Sequence, residues 1–341
     1  MAAKIRFRGP LRYRIRSAAL VAKCAAHVAA RRAVKGPLCP AWTLPFELGT
    51  EILKRQLKAA FRMNIKQGRE FLDSTQVFTP ALAQVEMTEH SDGCIRGTWF
   101  VPRSGEQKLT MLYLHGGGFS LYPKAYANLI AMVTLVTGAR TFALDYSLAP
   151  EHRFPTQVED VLKTYRWLLE IGADAGSLLV AGDSAGGNLT LALLLSARDA
   201  GLPLPALAIA LSPATDFQAE PGPIIAKENL DYLTPEMLIR WSHWYCDPKD
   251  HRNPLVSPIY ADLRGLPPIY VQAGEAEILY ASIRAFADQA RKQGADVTLE
   301  SWPGMNHVFQ AFGYEAPQSA DALKRIGEVV AAHLPNMERT R

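Results

Sequence analysis

Leu178-Leu-Val-Ala-Gly-Asp-Ser-Ala-Gly-Gly-Asn188 is the stretch on which the fold turns. Leu178 to Ala181 is a short apolar run of the kind that reads as a strand buried on both faces. Gly182-Asp183-Ser184-Ala185-Gly186 then spells G-x-S-x-G, and a helical stretch begins near Gly187. Strand, sharp turn and helix in that order are the setting in which this motif presents a nucleophilic serine. The turn forces strained backbone angles on Ser184, and the glycines two before and two after it leave room for close backbone approach. The hydroxyl is lifted clear of the sheet, and the helix N-terminus behind it favours developing negative charge. The same five letters recur by chance in unrelated chains, so it is the context that gives them chemical meaning.

Outward from this elbow, apolar runs alternate with helical patterns. The runs are Leu109 to Leu114, Arg140 to Tyr146, Ala206 to Leu211, Ile269 to Ala273 and Val297 to Trp302; helices are expected near 125–137, 156–171, 187–200, 280–293 and 318–333. Near-continuous apolar strands with helical crossovers predict an α/β fold whose mostly parallel sheet is flanked by helices on both faces. Val85 to His90 and Cys94 to Val101 flank Ser91-Asp92-Gly93, a hairpin signal that adds an antiparallel edge. From about residue 15 to 75 the chain reads as helices broken at Gly36-Pro37 and Pro40, with Trp42, Phe46, Leu48, Leu53, Leu57 and Phe61 offering apolar contacts.

One interval breaks the rhythm. More than 50 residues separate Ser212 from Ile269, far beyond an ordinary crossover. Within it Pro235 to Tyr245 reads as a helix carrying Met237, Leu238, Trp241, Trp244 and Tyr245. An aromatic insertion after a strand's C-terminal end is where a lid would sit; the plainer alternative is an excursion packed on the core. The expected organisation is an N-terminal basic arm and cap helices over 1–75, a core over 76–213 and 259–341, and a cap insertion over 214–258.

With 48% hydrophobic and 21% charged residues the composition is that of a soluble globular chain, and 341 residues bury a large core without staples. Cys24, Cys39, Cys94 and Cys246 show no C-x-x-C or Cys/His ligand spacing. They read as reduced, partly buried thiols, and no metal site is expected. Charge is distributed unevenly. Ten Lys and Arg and no acid precede Glu47, while the rest of the chain carries 27 bases against 33 acids, a net of −6. A basic leader on an acidic body suggests an arm that touches anionic surfaces, or one that is merely solvated. Ser17 to Ala30 is Ala-rich but broken by Lys23 and His27, too short and polar for a membrane span and a poor secretion signal. The expected location is cytoplasmic, with membrane-peripheral contact allowed for.

His115-Gly-Gly-Gly-Phe119 follows the strand Leu109 to Leu114 directly. Three glycines let the backbone turn N–H groups toward one point, as an acyl-transfer site needs where a carbonyl oxygen becomes an oxyanion. Gly116 and Gly117, with Ala185, are the expected donors. A phosphate loop is the competing reading, but neither a following Lys-Ser/Thr nor G-x-G-x-x-G is present. His115 is expected to brace this loop. A serine hydroxyl needs a histidine to take its proton and a carboxylate to orient that histidine, in the chain order serine, acid, histidine. Past Ser184 stand His243, His251, His307 and His333. His307 falls in Trp302-Pro-Gly-Met-Asn-His-Val-Phe309, the loop after the last strand, which is the expected place. For the acid, Glu275 and Glu277 both follow the strand Ile269 to Ala273, and Asp216 follows the strand ending near Ser212; spacing leaves all three open.

His115-Gly-Gly-Gly-Phe119, Asp145-Tyr-Ser-Leu-Ala-Pro-Glu-His-Arg-Phe-Pro155, Gly182-Asp-Ser-Ala-Gly-Gly-Asn188, Asn253-Pro-Leu-Val-Ser-Pro258 and His307-Val-Phe309 together resemble the hormone-sensitive lipase family of bacterial esterases, members of the α/β-hydrolase superfamily. The resemblance spans roughly residues 85–310. It implies hydrolysis of carboxylic esters without a cofactor, a helical cap built from the N-terminal segment and the insertion, and a triad of Ser184, Glu277 and His307. The family carries an acid two residues before the leucine that here is Leu279, which singles out Glu277. This chain has Glu where Asp is commoner, and Ala281 where a second acid often stands. Asp183 and Asp216 look like the family's structural acids. Short- to medium-chain esters are the expected substrates, held by Phe119, Tyr122, Trp241, Tyr245 and Val308. An amidase or deacetylase with the same triad, and a non-catalytic ligand-binding protein on this scaffold, are the alternatives. A homodimer is compatible with this reading, and nucleic acid is not an expected partner.

Overall fold

The alternation of side chains along a strand explains how one sheet takes helices on both faces. A computed structural model describes residues 4–93, 95–219 and 229–334. In chain order the main elements are β1 (Lys4–Phe7), α1 (Leu11–Lys35), α2 (Leu44–Ala60), α3 (Ile65–Asp73), β2 (Thr75–Phe78), β3 (Val85–Asp92), β4 (Ile95–Pro102), β5 (Thr110–Leu114), α4 (Tyr126–Thr137) and β6 (Arg140–Leu144). There follow α5 (Thr156–Glu170), β7 (Leu178–Asp183), α6 (Ala185–Asp199), β8 (Leu207–Leu211), α7 (Pro235–Tyr245), β9 (Ile269–Gly274), α8 (Tyr280–Lys292), β10 (Val297–Trp302) and α9 (Pro317–His333).

Eight strands form one sheet in the order β10-β9-β8-β7-β5-β6-β4-β3. β10 through β6 run parallel, and the β3–β4 hairpin closes one edge antiparallel. Met111, Tyr113, Leu179 and Ala181 point to the face covered by Ile130 and Val133 of α4 and Leu323 and Ile326 of α9. Leu112, Leu114, Leu178 and Val180 point the other way, toward Val161 and Leu168 of α5 and Leu189 and Leu193 of α6. Ile283 and Phe286 of α8 extend that second layer across β8 and β9. Burying both faces of these strands accounts for their near-continuous apolar composition.

The N-terminal helices and the insertion share a separate apolar cluster. Tyr13, Leu57, Phe71 and Leu72 meet Leu233, Met237 and Trp241, and the cluster rests on Leu121 and Ile278. Those last two lie just beyond the C-terminal ends of β5 and β9, the end at which parallel sheets place ligands. Thr43 caps α2 by accepting the Phe46 N–H at 3.3 Å, and Asn64 caps α3 through the Gln67 N–H at 2.9 Å. Arg69 ties α3 to the core: it donates to both carboxylate oxygens of Glu151 and to the carbonyls of Ser120 and Ala149, all within 2.9 Å.

The N-terminal region is not wholly helical. β1 pairs antiparallel with β2, Lys4 opposite Phe78, a four-residue ladder too short for any sequence period to announce. Cys24 and Cys246 are buried free thiols and Cys39 is half-buried; Cys94 lies outside the described residues. Among the described residues no helix is long and apolar enough to cross a membrane.

Candidate active site

Ser184 is the single residue between β7 and α6, at φ 54° and ψ −116°. An L-residue in that region is strained, and the strain is held by crowding on both sides. A side chain at Gly186 would run into the Leu114 carbonyl, and one at Gly182 into the Gly186 carbonyl. The Ser184 N–H donates to Leu211 O at 2.8 Å, which fixes the elbow to β8.

The loop after β10 brings His307 Nε2 to 2.8 Å from Ser184 Oγ. On the far side of the ring, Nδ1 stands 3.5 Å from Glu277 Oε2, an ion-pair distance rather than a well-formed hydrogen bond. Glu277 is fully buried in the turn after β9 and accepts the Ser212 hydroxyl at 2.6 Å. The other two acids do not come to the imidazole. Glu275 is half-buried with its backbone N–H on Trp302 O, and Asp216 accepts the Gln218 N–H and the Tyr260 hydroxyl. His251 pairs with Ser242 and His333 with its own helix carbonyl at Val329.

Burial alone would push the His307 imidazole down. The carboxylate of Glu277, with Asp231 and Asp183 farther off, outweighs it and holds His307 above its ordinary value. Burial raises the Glu277 carboxyl, with His307 and Ser212 pulling back. His115 differs from both. Its ring is stacked between Tyr122 at 3.6 Å and Tyr146 at 4.1 Å, its Nδ1 lies 2.7 Å from Gly116 O, and burial lowers its pKa to about 3. A neutral, clamped imidazole braces the glycine loop and is out of reach as a base.

The glycine loop departs from expectation at one residue. The Gly116 N–H donates to Asp183 Oδ1 at 3.1 Å, so it is committed to the interior and is not an oxyanion donor. Gly117, Gly118 and Phe119 follow with φ of 99°, 59° and 58°, a left-handed run that turns the chain over the elbow. Among the described residues nothing accepts the N–H groups of Gly117, Gly118 or Ala185.

Of the five expected pocket residues, Tyr122 alone keeps partial exposure. Phe119 stacks on Tyr245 at 3.6 Å, so Tyr245 supports that wall from behind. Trp241 lies against Gly118, where a side chain would strike its indole, and meets Phe61 edge-on at 5.1 Å. Val308, at φ 45°, is buried in the core and donates its N–H to Ser212 Oγ at 3.0 Å, a contact that holds the histidine loop.

Two residues at the site carry no sequence signal. Ser212 bridges Glu277 and Val308 from the end of β8 at φ 47°. Asp231, buried in the insertion, accepts the N–H of Tyr232 at 2.8 Å, of Ile278 at 2.9 Å and of His307 at 3.4 Å. It thereby joins the insertion to the loops of both Glu277 and His307. Among the described residues no group of three or more His, Cys, Asp or Glu side chains could hold a metal ion.

Residues 111–311 match the family described by the alpha/beta hydrolase fold. An acetyl-hydrolase of Streptomyces hygroscopicus is 40% identical over 220 residues, 64% of this chain and 74% of that protein. An esterase of Acinetobacter venetianus is 28% identical over 282 residues, 81% of this chain and 93% of its own length. Among solved structures, an esterase of the bacterial hormone-sensitive lipase family superposes with a TM-score of 0.73 at 30% identity, covering 93% of this chain and 98% of that one. Sheet order, elbow and relatives converge: the chain belongs to the α/β-hydrolase family, in its hormone-sensitive-lipase-like branch, and is a carboxylic ester hydrolase.

Proposed function

We propose that the enzyme cleaves short- to medium-chain carboxylic esters through an acyl-enzyme on Ser184, with His307 as base and then acid and Glu277 orienting the imidazole. The observation that carries this reading is the 2.8 Å contact between His307 Nε2 and Ser184 Oγ at a strained elbow ringed by N–H groups without acceptors. His307 takes the hydroxyl proton as Oγ attacks the carbonyl carbon, and the carbonyl π pair moves onto oxygen. The N–H groups of Gly117, Gly118 and Ala185 receive that oxyanion. On collapse the C–O bond to the alcohol breaks and His307 hands it the proton; water then repeats the sequence on the acyl-enzyme. Protonation of the imidazole draws Glu277 and Nδ1 together, and catalytic hydrogen bonds are commonly long before substrate arrives.

The preference for short acyl groups is supported by the aromatic walls, Trp241 against Gly118 and Phe119 against Tyr245. The acetyl-hydrolase relative points the same way. The segments over 1–75 and 214–258 act as the cap that supplies Trp241. Ser184→Ala should abolish p-nitrophenyl acetate turnover in a folded protein, and a series of p-nitrophenyl esters from acetate to palmitate should fall steeply with length. Retained turnover in the alanine variant defeats the mechanism, and a flat series defeats the substrate class. Matched ester and anilide substrates separate esterase from amidase, with the ester strongly preferred.

A further inference from the structure

Helix α1 presents two opposite faces. Tyr13, Ser17, Cys24 and Val28 are buried against the rest of the fold. On the opposite side Leu11, Ile15, Ala22, Ala26, Ala29 and Ala33 recur at helical spacing, and all are exposed, Leu11 by 64% and Ile15 by 61%. Bases border this stripe. Arg12 and Lys23 lie along one edge and Arg14 along the other, while Lys4, Arg6 and Arg8 continue the charge from β1. Among the described residues none of these six pairs with a carboxylate, whereas Arg31 and Arg32 at the other end of the helix are paired with Glu47. Aromatic rings hold two of the guanidinium groups in place, Arg6 over Phe78 at 5.1 Å and Arg12 over Tyr13 at 4.6 Å. The unpaired charge therefore surrounds the end of the stripe that carries its bulkiest apolar side chains.

We infer that this face docks on a bilayer containing anionic lipid. Leu11 and Ile15 enter the acyl boundary, the small alanines behind them let the helix lie close along it, and the flanking bases sit at the level of the phosphates. Charge complementarity selects this occupant. A nucleic acid would engage the bases but leave the apolar stripe in water. A second copy packed about a two-fold axis at Leu11 and Ile15, the bulky end of the stripe, would bring Arg12 and Arg14 against their own counterparts. The −6 net charge of the rest of the chain would keep the body off the anionic surface, so that α1 leads.

The test is co-sedimentation of the full chain with phosphatidylcholine vesicles and with equimolar phosphatidylcholine–phosphatidylglycerol vesicles. Binding is expected on the second and not the first, and should fall at least about tenfold both in Leu11→Ser/Ile15→Ser and in Arg12→Gln/Arg14→Gln/Lys23→Gln. Both variants should hydrolyse p-nitrophenyl acetate as the parent does, which establishes that they are folded. Undiminished binding by the apolar-stripe variant overturns the proposal, as does absence of binding to anionic vesicles. A dimer in sedimentation velocity that the same variant dissociates would instead assign the stripe to a second copy. Tight binding of duplex DNA that depends only on the bases would assign the face to nucleic acid.

Discussion

Asp183 Oδ1 accepts the N–H of Gly116 at 3.1 Å, so the residue before the elbow serine also holds the first glycine of the loop above it. The Tyr113 hydroxyl donates to the same oxygen at 2.9 Å, and the carboxyl is fully buried. Burial raises its pKa to about 6 against the pull of those donors. Elbow and loop are thus registered to each other by one side chain. Asp183→Ala would strand two buried donors at about 1–3 kcal/mol each, and the loosened loop should lower kcat by roughly 10–100-fold with a smaller change in KM. Asp183→Asn, which keeps an acceptor, should lose less. Thermal melts with separate kcat and KM values check this; wild-type kcat in the alanine variant removes the coupling.

A general base works only when neutral, so a raised His307 pKa moves the acid limb of activity toward alkaline pH. The limb of kcat/KM should lie above about 6.5, the ordinary imidazole value. In Glu277→Gln the main raising partner is gone, leaving Asp231 and Asp183 against burial, and the limb should move down in pH even as the plateau falls by roughly 10³–10⁴. The pH profiles of both proteins decide the matter. A limb that stays put in the glutamine variant would mean Glu277 does not face the working imidazole.

These two sites also mark how far the chain could be read before folding. Buried parallel strands announce themselves as apolar runs, so the strands of the parallel sheet, its antiparallel edge and the elbow on β7 were legible, as was the loop after β10 that carries His307; the spatial order of the strands was not. Spacing left Glu277, Glu275 and Asp216 open, because which of them faces His307 depends on how distant segments pack: Glu277 stands 3.5 Å from the imidazole and accepts the hydroxyl of Ser212, 65 residues away. The inward turn of the Gly116 N–H, one of the expected donors, escaped the sequence for a like reason: its direction is set by Asp183, 67 residues on. The pairing of β1 with β2 joins residue 4 to residue 78. What left no periodicity in the sequence was long-range hydrogen bonding, by short polar side chains at the site and by the backbone of the β1–β2 ladder.

Trp241 should act as the acyl-chain gauge. Its indole lies against Gly118 and edge-on to Phe61, so shortening it opens space directly beside the proposed donors. Trp241→Ala should raise the ratio of p-nitrophenyl octanoate to acetate turnover at least about tenfold, the lower end of what a single newly accommodated methylene is worth, roughly 1–3 kcal/mol. It should also cost about 3–5 kcal/mol of stability as a large-to-small core change. Trp241→Phe should shift both quantities less. An unchanged octanoate-to-acetate ratio in a folded Trp241→Ala protein would place the acyl chain elsewhere.

Asp231 offers the sharpest test of whether the insertion tunes the chemistry or merely covers it. Its carboxylate takes the N–H of Ile278, next to Glu277, and the N–H of His307 itself, so both loops hang on one side chain from the insertion. Burial raises its pKa, with His307 and the surrounding N–H groups pulling it back. Its negative charge in turn contributes to the elevation of His307. Removing it therefore has two separable consequences. Lost N–H acceptors loosen the geometry, which should lower kcat by roughly tenfold in Asp231→Ala and less in Asp231→Asn. Lost charge should move the acid limb of kcat/KM to lower pH in both variants alike. A purely structural role predicts a lowered melting temperature with no movement of that limb, whereas a positioning role requires the limb to move even where Asp231→Asn melts as the parent does.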